Sequence, residues 1–254
     1  MNVVCMKWGT LYGPEYVNRL YAGVKRHLKR PHHFVCFTDD SKGLDPGIEA
    51  QPLPETGAAE VPGDTRWRKV ALFRSPLGDL SGTVLFLDLD LVVVRPLDAF
   101  LEHPGKVCII RDADLFPDRL LRKLRPRRYA FYQRVGNSSV FRFEAGAHAD
   151  VLKRYVDDHA AVVAQYRNEQ EYISDHLHAQ NALTFWPREW CASFKHDCVP
   201  KGLRSYFADP ALPVKAKLVV FVGRPKMAEV VAGEGSRWYR RIRLAPWLLE
   251  HWAI

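Results

Sequence analysis

Two aspartates stand one residue apart inside the apolar run Thr83-Val84-Leu85-Phe86-Leu87-Asp88-Leu89-Asp90-Leu91-Val92-Val93-Val94. Alternate side chains of an extended segment share a face, so Asp88 and Asp90 project the same way if the run is a strand. A carboxylate buried there without a positive partner costs several kcal/mol. The pair therefore calls for a cation. Mn²⁺ or Mg²⁺ suits it, because these ions take oxygen ligands and share their shell with phosphates; the plainer partners are the neighbouring bases Arg68, Lys69 and Arg95.

Positioning such a pair needs a sheet, and the rest of the chain predicts one. Asn2 to Met6 reads as a strand, Glu15 to Leu28 as a helix with apolar positions Val17, Leu20, Tyr21, Val24 and Leu28, and His33 to Thr38 as a second strand. Thr83 to Leu87 is too apolar to be half exposed, which predicts a central strand covered on both faces. Further strands are expected at 107–111, 139–143 and 218–222, and helices at 67–73, 147–165 and 169–181. Residues 54 to 64 hold two prolines and two glycines among small residues and read as a surface loop. Alternating strands and helices predict an α/β fold with a mixed, mostly parallel central sheet flanked by helices. The carboxyl edge of such a sheet is where ligands bind, and Asp88 and Asp90 fall at that edge.

The chain has 254 residues, 47% apolar and 26% charged, which excludes disordered and low-complexity architectures. No apolar run approaches the ~20 residues of a membrane-spanning helix. The N-terminal residues lack a basic region followed by an apolar stretch and a cleavage site, so classical export is not expected. Cys5, Cys36, Cys108, Cys191 and Cys198 are odd in number and contain no Cys-x-x-Cys spacing. They read as reduced core thiols in a cytoplasmic protein. Cys191, His196 and Cys198 lack a second ligand pair, and no metal is assigned to them.

Lysine and arginine number 37 against 29 acidic residues, a net charge of +8 that favours phosphates, nucleic acid or an anionic membrane surface and does not choose among them. None of the familiar nucleic-acid-binding signatures is present, so nucleic acid is not an expected partner. Arg119, Arg122, Lys123, Arg125, Arg127 and Arg128 form a basic run, read either as a solvated face or as a contact for phosphate groups or a membrane surface. Residues 236–254, rich in arginine, tryptophan and leucine, are set apart from residues 1–235 as a basic, aromatic tail. Such a tail suits either packing on the domain or a peripheral position on the inner face of the membrane.

Seven short motifs in order resemble the GT-A-fold glycosyltransferases, in particular the glycogenin- and bacterial galactosyltransferase-like family of retaining, nucleotide-sugar-dependent enzymes. They are Lys7-Trp8-Gly9-Thr10-Leu11-Tyr12, Phe37-Thr38-Asp39-Asp40, Trp67-Arg68-Lys69, Phe86-Leu87-Asp88-Leu89-Asp90, Gly136-Asn137-Ser138-Ser139-Val140-Phe141, Glu169-Gln170-Glu171-Tyr172-Ile173-Ser174 with the following Trp186-Pro187-Arg188-Glu189-Trp190, and Val220-Phe221-Val222-Gly223-Arg224-Pro225-Lys226. Together they span residues 1 to about 230.

The resemblance implies a Rossmann-like GT-A domain over residues 1–235 that transfers a hexose from a nucleotide diphosphate sugar, UDP-linked by preference, to a carbohydrate or glycolipid acceptor. It places the donor against Lys7, Trp8, Gly9, Tyr12, Thr38, Asp39, Lys69, Asp88, Leu89, Asp90, Asn137, Ser138 and Lys226. It places a Mn²⁺ or Mg²⁺ ion on Asp88 and Asp90, and catalytic roles on Gln170, Glu169 and Glu171. Two departures stand out. Val220 and Val222 occupy the candidate positions of a histidine that completes the family's metal site, and Lys7 and Trp8 stand where many relatives carry an acidic residue. Tyr12 and Tyr16 suit either a nucleobase stack or the core.

The competing readings are a degenerate, non-catalytic nucleotide-sugar-binding module and a nucleotidyltransferase. The second would need a glycine-rich basic phosphate loop near the N-terminus, which Lys7-Trp8-Gly9-Thr10 does not supply.

Overall fold

The computed structural model describes residues 1–115, 124–234, 236 and 241–254. Its strands are β1 (Asn2–Lys7), β2 (His33–Thr38), β3 (Glu49–Pro52), β4 (Thr83–Leu87), β5 (Leu91–Val93), β6 (Val107–Arg111), β7 (Gly136–Glu144), β8 (Leu183–Phe185), β9 (Cys191–Ser193) and β10 (Leu218–Val220). Its α-helices are α1 (Pro14–His27), α2 (Asp98–Glu102), α3 (Asp112–Leu115), α4 (Pro126–Tyr132), α5 (Ala149–Asp157), α6 (His159–Gln165), α7 (Glu169–Ala179), α8 (Met227–Val231) and α9 (Pro246–His251).

The apolar runs become the middle of a seven-stranded sheet of order β3-β2-β1-β4-β7-β6-β8. Neighbouring pairs β3/β2, β2/β1, β1/β4 and β6/β8 are parallel, and β7 runs antiparallel to β4 and β6. The sheet is therefore mixed and mostly parallel, as the alternation of elements predicts. Burial follows the strand period of two: Val84 and Phe86 of β4 face one apolar cluster, Leu85 and Leu87 the other. On the Leu85 side lie Val17, Leu20 and Val24 of α1. On the Phe86 side lie Trp67, Tyr155 and Tyr172.

Several elements differ from their predicted form. The segment expected as a helix over 67–73 is a run of 3₁₀ turns, Thr65–Phe73, capped by Asp64, whose carboxylate accepts from the Arg66 amide at 3.1 Å. The expected helix over 147–165 is two helices, because Asp158 leaves helical geometry with φ −113° and ψ 28°. The largest difference is a second sheet of order β5-β10-β9, in which Leu91 of β5 lies opposite Val220 of β10. One apolar run thus supplies β4 to the large sheet and β5 to the small one.

Asp88-Leu89-Asp90 is the crossing point between the sheets, a turn rather than a continuation of the strand. Its backbone is pinned on both sides. The Asp88 amide donates to Ser139 O at 2.9 Å, and the Phe221 amide donates to Asp90 O at 2.8 Å.

The described part of the C-terminal segment returns to the domain. Ala245, Leu248 and Trp252 are buried in the cluster that α1 covers. The Trp252 ring lies 5.4 Å from Tyr16 and beneath the Arg19 guanidinium at 4.0 Å. Trp247 Nε1 donates to Pro210 O at 2.9 Å. Arg237, Trp238, Tyr239 and Arg240 of that segment, and Arg119, Arg122 and Lys123 of the basic run, lie outside the described residues; Arg125, Arg127 and Arg128 are exposed. Among the described residues no helix is long and apolar enough to cross a membrane.

Cys191 and Cys198 are buried, and burial pushes both thiols up, that of Cys198 to about 12. Both remain protonated thiols, packed as small hydrophobic groups.

Candidate active site

At the carboxyl ends of β1 and β4 the chain encloses a cleft of about 400 Å³. Met6, Trp8, Leu11 and Tyr12 line it from the β1 side, and Thr65, Arg66 and Lys69 from the 3₁₀ turns. Asp88, Leu89 and Asp90 come from the sheet crossing, Asp112 from the end of β6, and Asn137, Ser138 and Ser139 from β7. Glu169 and Gln170 at the start of α7, with Val222 after β10, close the wall. Seven stretches distant in sequence meet here.

On one side is a buried charge cluster. Lys69 Nζ donates to Asp88 Oδ2 at 2.6 Å and lies 3.5 Å from both Ser138 O and Ser138 Oγ. Ser138 Oγ donates to Glu169 Oε1 at 2.8 Å, while Glu169 Oε2 is buried with no hydrogen-bond partner. Burial disfavours the Lys69 ammonium, but Asp88 and Glu169 outweigh it and hold its pKa above the ordinary lysine value. Burial lifts the Asp88 carboxyl to about 6 against the pull of Lys69, with Asp90 and Glu169 adding to the rise. One ammonium shared among several carboxylates cannot fully compensate each of them.

Across the cleft Asp90 Oδ2 accepts from Lys226 Nζ at 2.7 Å and from the Tyr12 hydroxyl at 3.4 Å. Burial, then the charges of Asp90 and Asp88, push the Tyr12 phenol far above its usual range, so it stays a donor. Lys226 reaches Asp90 because the chain reverses after β10: Gly223 adopts φ +70°, a conformation that favours glycine. The reversal is then fixed at the start of α8, where the Lys226 amide donates to Glu229 Oε2 at 2.7 Å.

A third group orients the polar floor. Asp112 Oδ1 accepts from Asn137 Nδ2 at 3.1 Å and from Gln170 Nε2 at 3.4 Å. The Ser138 amide in turn donates to Gln170 Oε1 at 3.4 Å. Burial raises the Asp112 carboxyl, and the Asn137 and Gln170 amides oppose that rise. Asp112 and Arg66 line the cleft without having been singled out from the sequence. The signal for Asp112 was present: Arg111-Asp112-Ala113-Asp114 repeats the Asp-x-Asp spacing at the carboxyl end of β6.

Trp8, Tyr12, Lys69, Asp88, Leu89, Asp90, Asn137, Ser138, Glu169 and Gln170 are thus brought to one cleft, with Lys226 bonded to it through Asp90. Four others form an adjoining network in the loops after β1 and β2. Lys7 Nζ donates to Asp40 O at 3.2 Å, the Gly9 amide to Asp39 Oδ2 at 2.9 Å, and Thr38 Oγ1 to Asp40 O at 2.9 Å. Tyr16 is buried against Tyr12 and Trp252 in the core. Arg68 is turned away to Glu60.

Glu171, expected among the catalytic groups, does not line the cleft. Its carboxylate accepts from the Arg167 amide at 3.0 Å and from Arg167 Nε at 2.6 Å, and it is 4% exposed. One residue along a helix rotates the side chain by ~100°, which separates Glu171 from Glu169 and Gln170. Glu171→Gln is expected to keep turnover within about threefold of the unaltered chain while lowering its thermal midpoint, because only the Arg167 contact is weakened. Steady-state kinetics beside a melting curve checks this, and a hundredfold loss of turnover at unchanged melting temperature would return Glu171 to the chemistry.

The donor set does not fit a resident divalent ion. Asp88 and Asp90 each give one carboxylate oxygen to an ammonium, and the candidate positions of a third ligand, 220 and 222, hold valine. Among the described residues no group of three His, Cys, Asp or Glu side chains converges.

No protein-family model matches the chain, and no curated protein sequence matches it. Solved structures do. The galactosyltransferase LgtC in complex with donor and acceptor sugar analogs aligns over 89% of this chain and 89% of its own, with a TM-score of 0.58 at 13% identity. The glycosyltransferase GlyE of Streptococcus pneumoniae TIGR4 aligns over 99% of this chain and 60% of its own, with a TM-score of 0.62 at 12% identity. The bifunctional glycosyltransferase WbbM aligns over 89% of this chain and 46% of its own, with a TM-score of 0.55 at 13% identity. The chain has the GT-A, Rossmann-like fold of these proteins.

Proposed function

We propose that the protein is a glycosyltransferase that moves a hexosyl group from a nucleotide diphosphate sugar, UDP-linked by preference, to a carbohydrate or glycolipid acceptor with retention of configuration. The observation that carries this reading is the cleft itself. At the carboxyl edge of a GT-A sheet it sets ammonium and carboxylate groups beside a floor of neutral amides and hydroxyls, the two chemistries that the two halves of a nucleotide sugar require.

Transfer breaks the bond between the anomeric carbon and the leaving phosphate oxygen and forms one to an acceptor hydroxyl oxygen, whose proton is lost. Negative charge grows on the diphosphate and positive character on the sugar ring. Lys226 and Lys69 suit the first, because fixed donors aimed at developing charge lower the barrier without reorganising. Glu169, with one oxygen free of partners, and the Gln170 amide, oriented by Asp112 and Ser138, suit the second. Trp8, on the cleft wall, offers a face for the base. The galactosyltransferase LgtC, solved with donor and acceptor sugar analogs in a fold that matches 89% of this chain, supports the same pairing of substrates. Mn²⁺ or Mg²⁺, the cofactor that the Asp-x-Asp pair suggests, has no step here because the donor set does not fit it.

The exposed Arg125, Arg127 and Arg128 favour a phosphorylated glycolipid acceptor at an anionic membrane surface. The degenerate-module reading rests on Val220 and Val222, and turnover separates the two. The purified chain incubated with UDP-galactose or UDP-glucose is expected to release UDP slowly without acceptor and faster with a glycan acceptor. Binding of UDP without release from any UDP-sugar would leave the non-catalytic module, and indifference to nucleotides would end the donor-site reading.

A further inference from the structure

We infer that donor binding at this cleft is independent of a divalent cation, the Lys226 ammonium on Asp90 standing where a metal bound to an Asp-x-Asp pair would stand. The inference rests on the nucleotide-sugar reading above and deepens it. Three observations carry it.

The first is occupancy of the oxygens. Asp90 Oδ2 and Asp88 Oδ2 accept from Lys226 at 2.7 Å and Lys69 at 2.6 Å, so a divalent ion drawing on both carboxylates would compete with two ammonium groups already seated. The second is how firmly Lys226 is placed. Its own amide is held by Glu229, the preceding turn is fixed by Gly223, and the strand before it is tied to Asp90 through the Phe221 amide. The main chain that carries Lys226 is fixed, and its ammonium is seated on Asp90. The third is the company it keeps. Val222 lines the cleft beside it and Val220 is fully buried, so the strand that delivers Lys226 offers a metal no further side-chain ligand.

An ammonium has three N–H donors. One of Lys226 goes to Asp90, and another faces Phe221 O at the long distance of 3.5 Å. The remaining one is available to a diphosphate oxygen, and the side chain is 20% exposed, enough to meet it. On this assignment Asp90 positions a cationic side chain instead of a metal ion. The expected signature is a donor site that ignores chelators and depends on a lysine.

Calorimetric titration of UDP into the full chain, in EDTA and again in Mn²⁺, tests the inference, with the free Mn²⁺ signal followed by electron paramagnetic resonance. The Kd for UDP is expected to change by less than about twofold between the two buffers, and the chain to leave the free Mn²⁺ signal intact. Lys226→Ala is expected to weaken UDP by about tenfold or more in EDTA, with Lys226→Arg retaining most of the affinity. Mn²⁺ should recover part of the Lys226→Ala loss, because the substitution releases Asp90.

UDP binding that vanishes in EDTA and returns with Mn²⁺, or stoichiometric loss of the free Mn²⁺ signal, overturns the inference while keeping the donor site. Lys226→Ala binding as tightly as the unaltered chain in EDTA overturns it too. Failure of UDP, GDP, ADP and CMP to bind in either buffer overturns the nucleotide-sugar reading beneath it.

Discussion

Lys69→Met is expected to lower the unfolding free energy by about 3 kcal/mol at pH 8, the range for removing one partner of a buried ion pair, and to remove turnover. Lys69 is 6% exposed and its ammonium serves both Asp88 and Glu169, so its loss leaves the buried Glu169 and the partly buried Asp88 without that cation. The deficit should shrink on acidification. Burial already raises the Asp88 carboxyl to about 6, and without Lys69 it rises further. A carboxyl whose folded pKa exceeds its unfolded value stabilises the folded state below the unfolded pKa, and that contribution is lost as pH rises through the folded pKa. Relative to the unaltered chain, the variant should therefore gain stability between pH 8 and pH 5. Urea unfolding at those two pH values measures it, and a deficit that grows on acidification would refute the charge assignment.

Asp90→Ala is expected to lower the turnover of a UDP-sugar by about 100-fold, the scale of losing one preorganised electrostatic contact, with a far smaller change in melting temperature than Lys69→Met. The Asp90 carboxylate, partly buried, anchors Lys226 and accepts from Tyr12. Removing it releases an ammonium that retains backbone support and solvent access, instead of stranding a buried charge. UDP release by the folded variant is the measurement. Turnover equal to that of the unaltered chain would show that the Lys226–Asp90 pair takes no part in the reaction.

The two variants separate the roles of residues that look equivalent in sequence. Asp88 and Asp90 differ by one position and share a residue type, yet Asp88 belongs to the buried cluster with Lys69 and Asp90 to the strand turn with Lys226. The difference comes from the sheet crossing. Asp88 is tied to β7 through Ser139, and Asp90 to the segment after β10 through Phe221.

Local pattern made the central sheet legible. The continuous apolar run over Thr83–Leu87 could only be satisfied between covered neighbours, and its buried residues alternate between the two clusters as strand geometry dictates. The Asp pair was legible for the same reason, since carboxylates in such a run demand a cation. The short strands β5, β8 and β9 were not, because three residues carry too little periodicity and their pairing partners are distant in sequence. The apolar segment at the C-terminus was equally ambiguous, as Leu248 and Trp252 suit a membrane surface as well as they suit the groove beside α1 that they fill.

The sequence by itself determined the fold class, the strand that ends in two carboxylates and the need for positive charge beside them, because burial and periodicity are properties of neighbouring residues. Only the tertiary structure decided which positive charge it is. Lys69 is 19 residues from Asp88, Lys226 is 136 from Asp90, and Asp112 is 58 from the Gln170 it orients. Arg68, adjacent to Lys69 in sequence, is turned to Glu60 instead. Pairings across such separations are fixed by how two sheets and their covering helices pack, a free energy spread over the whole core that no short stretch of residues encodes.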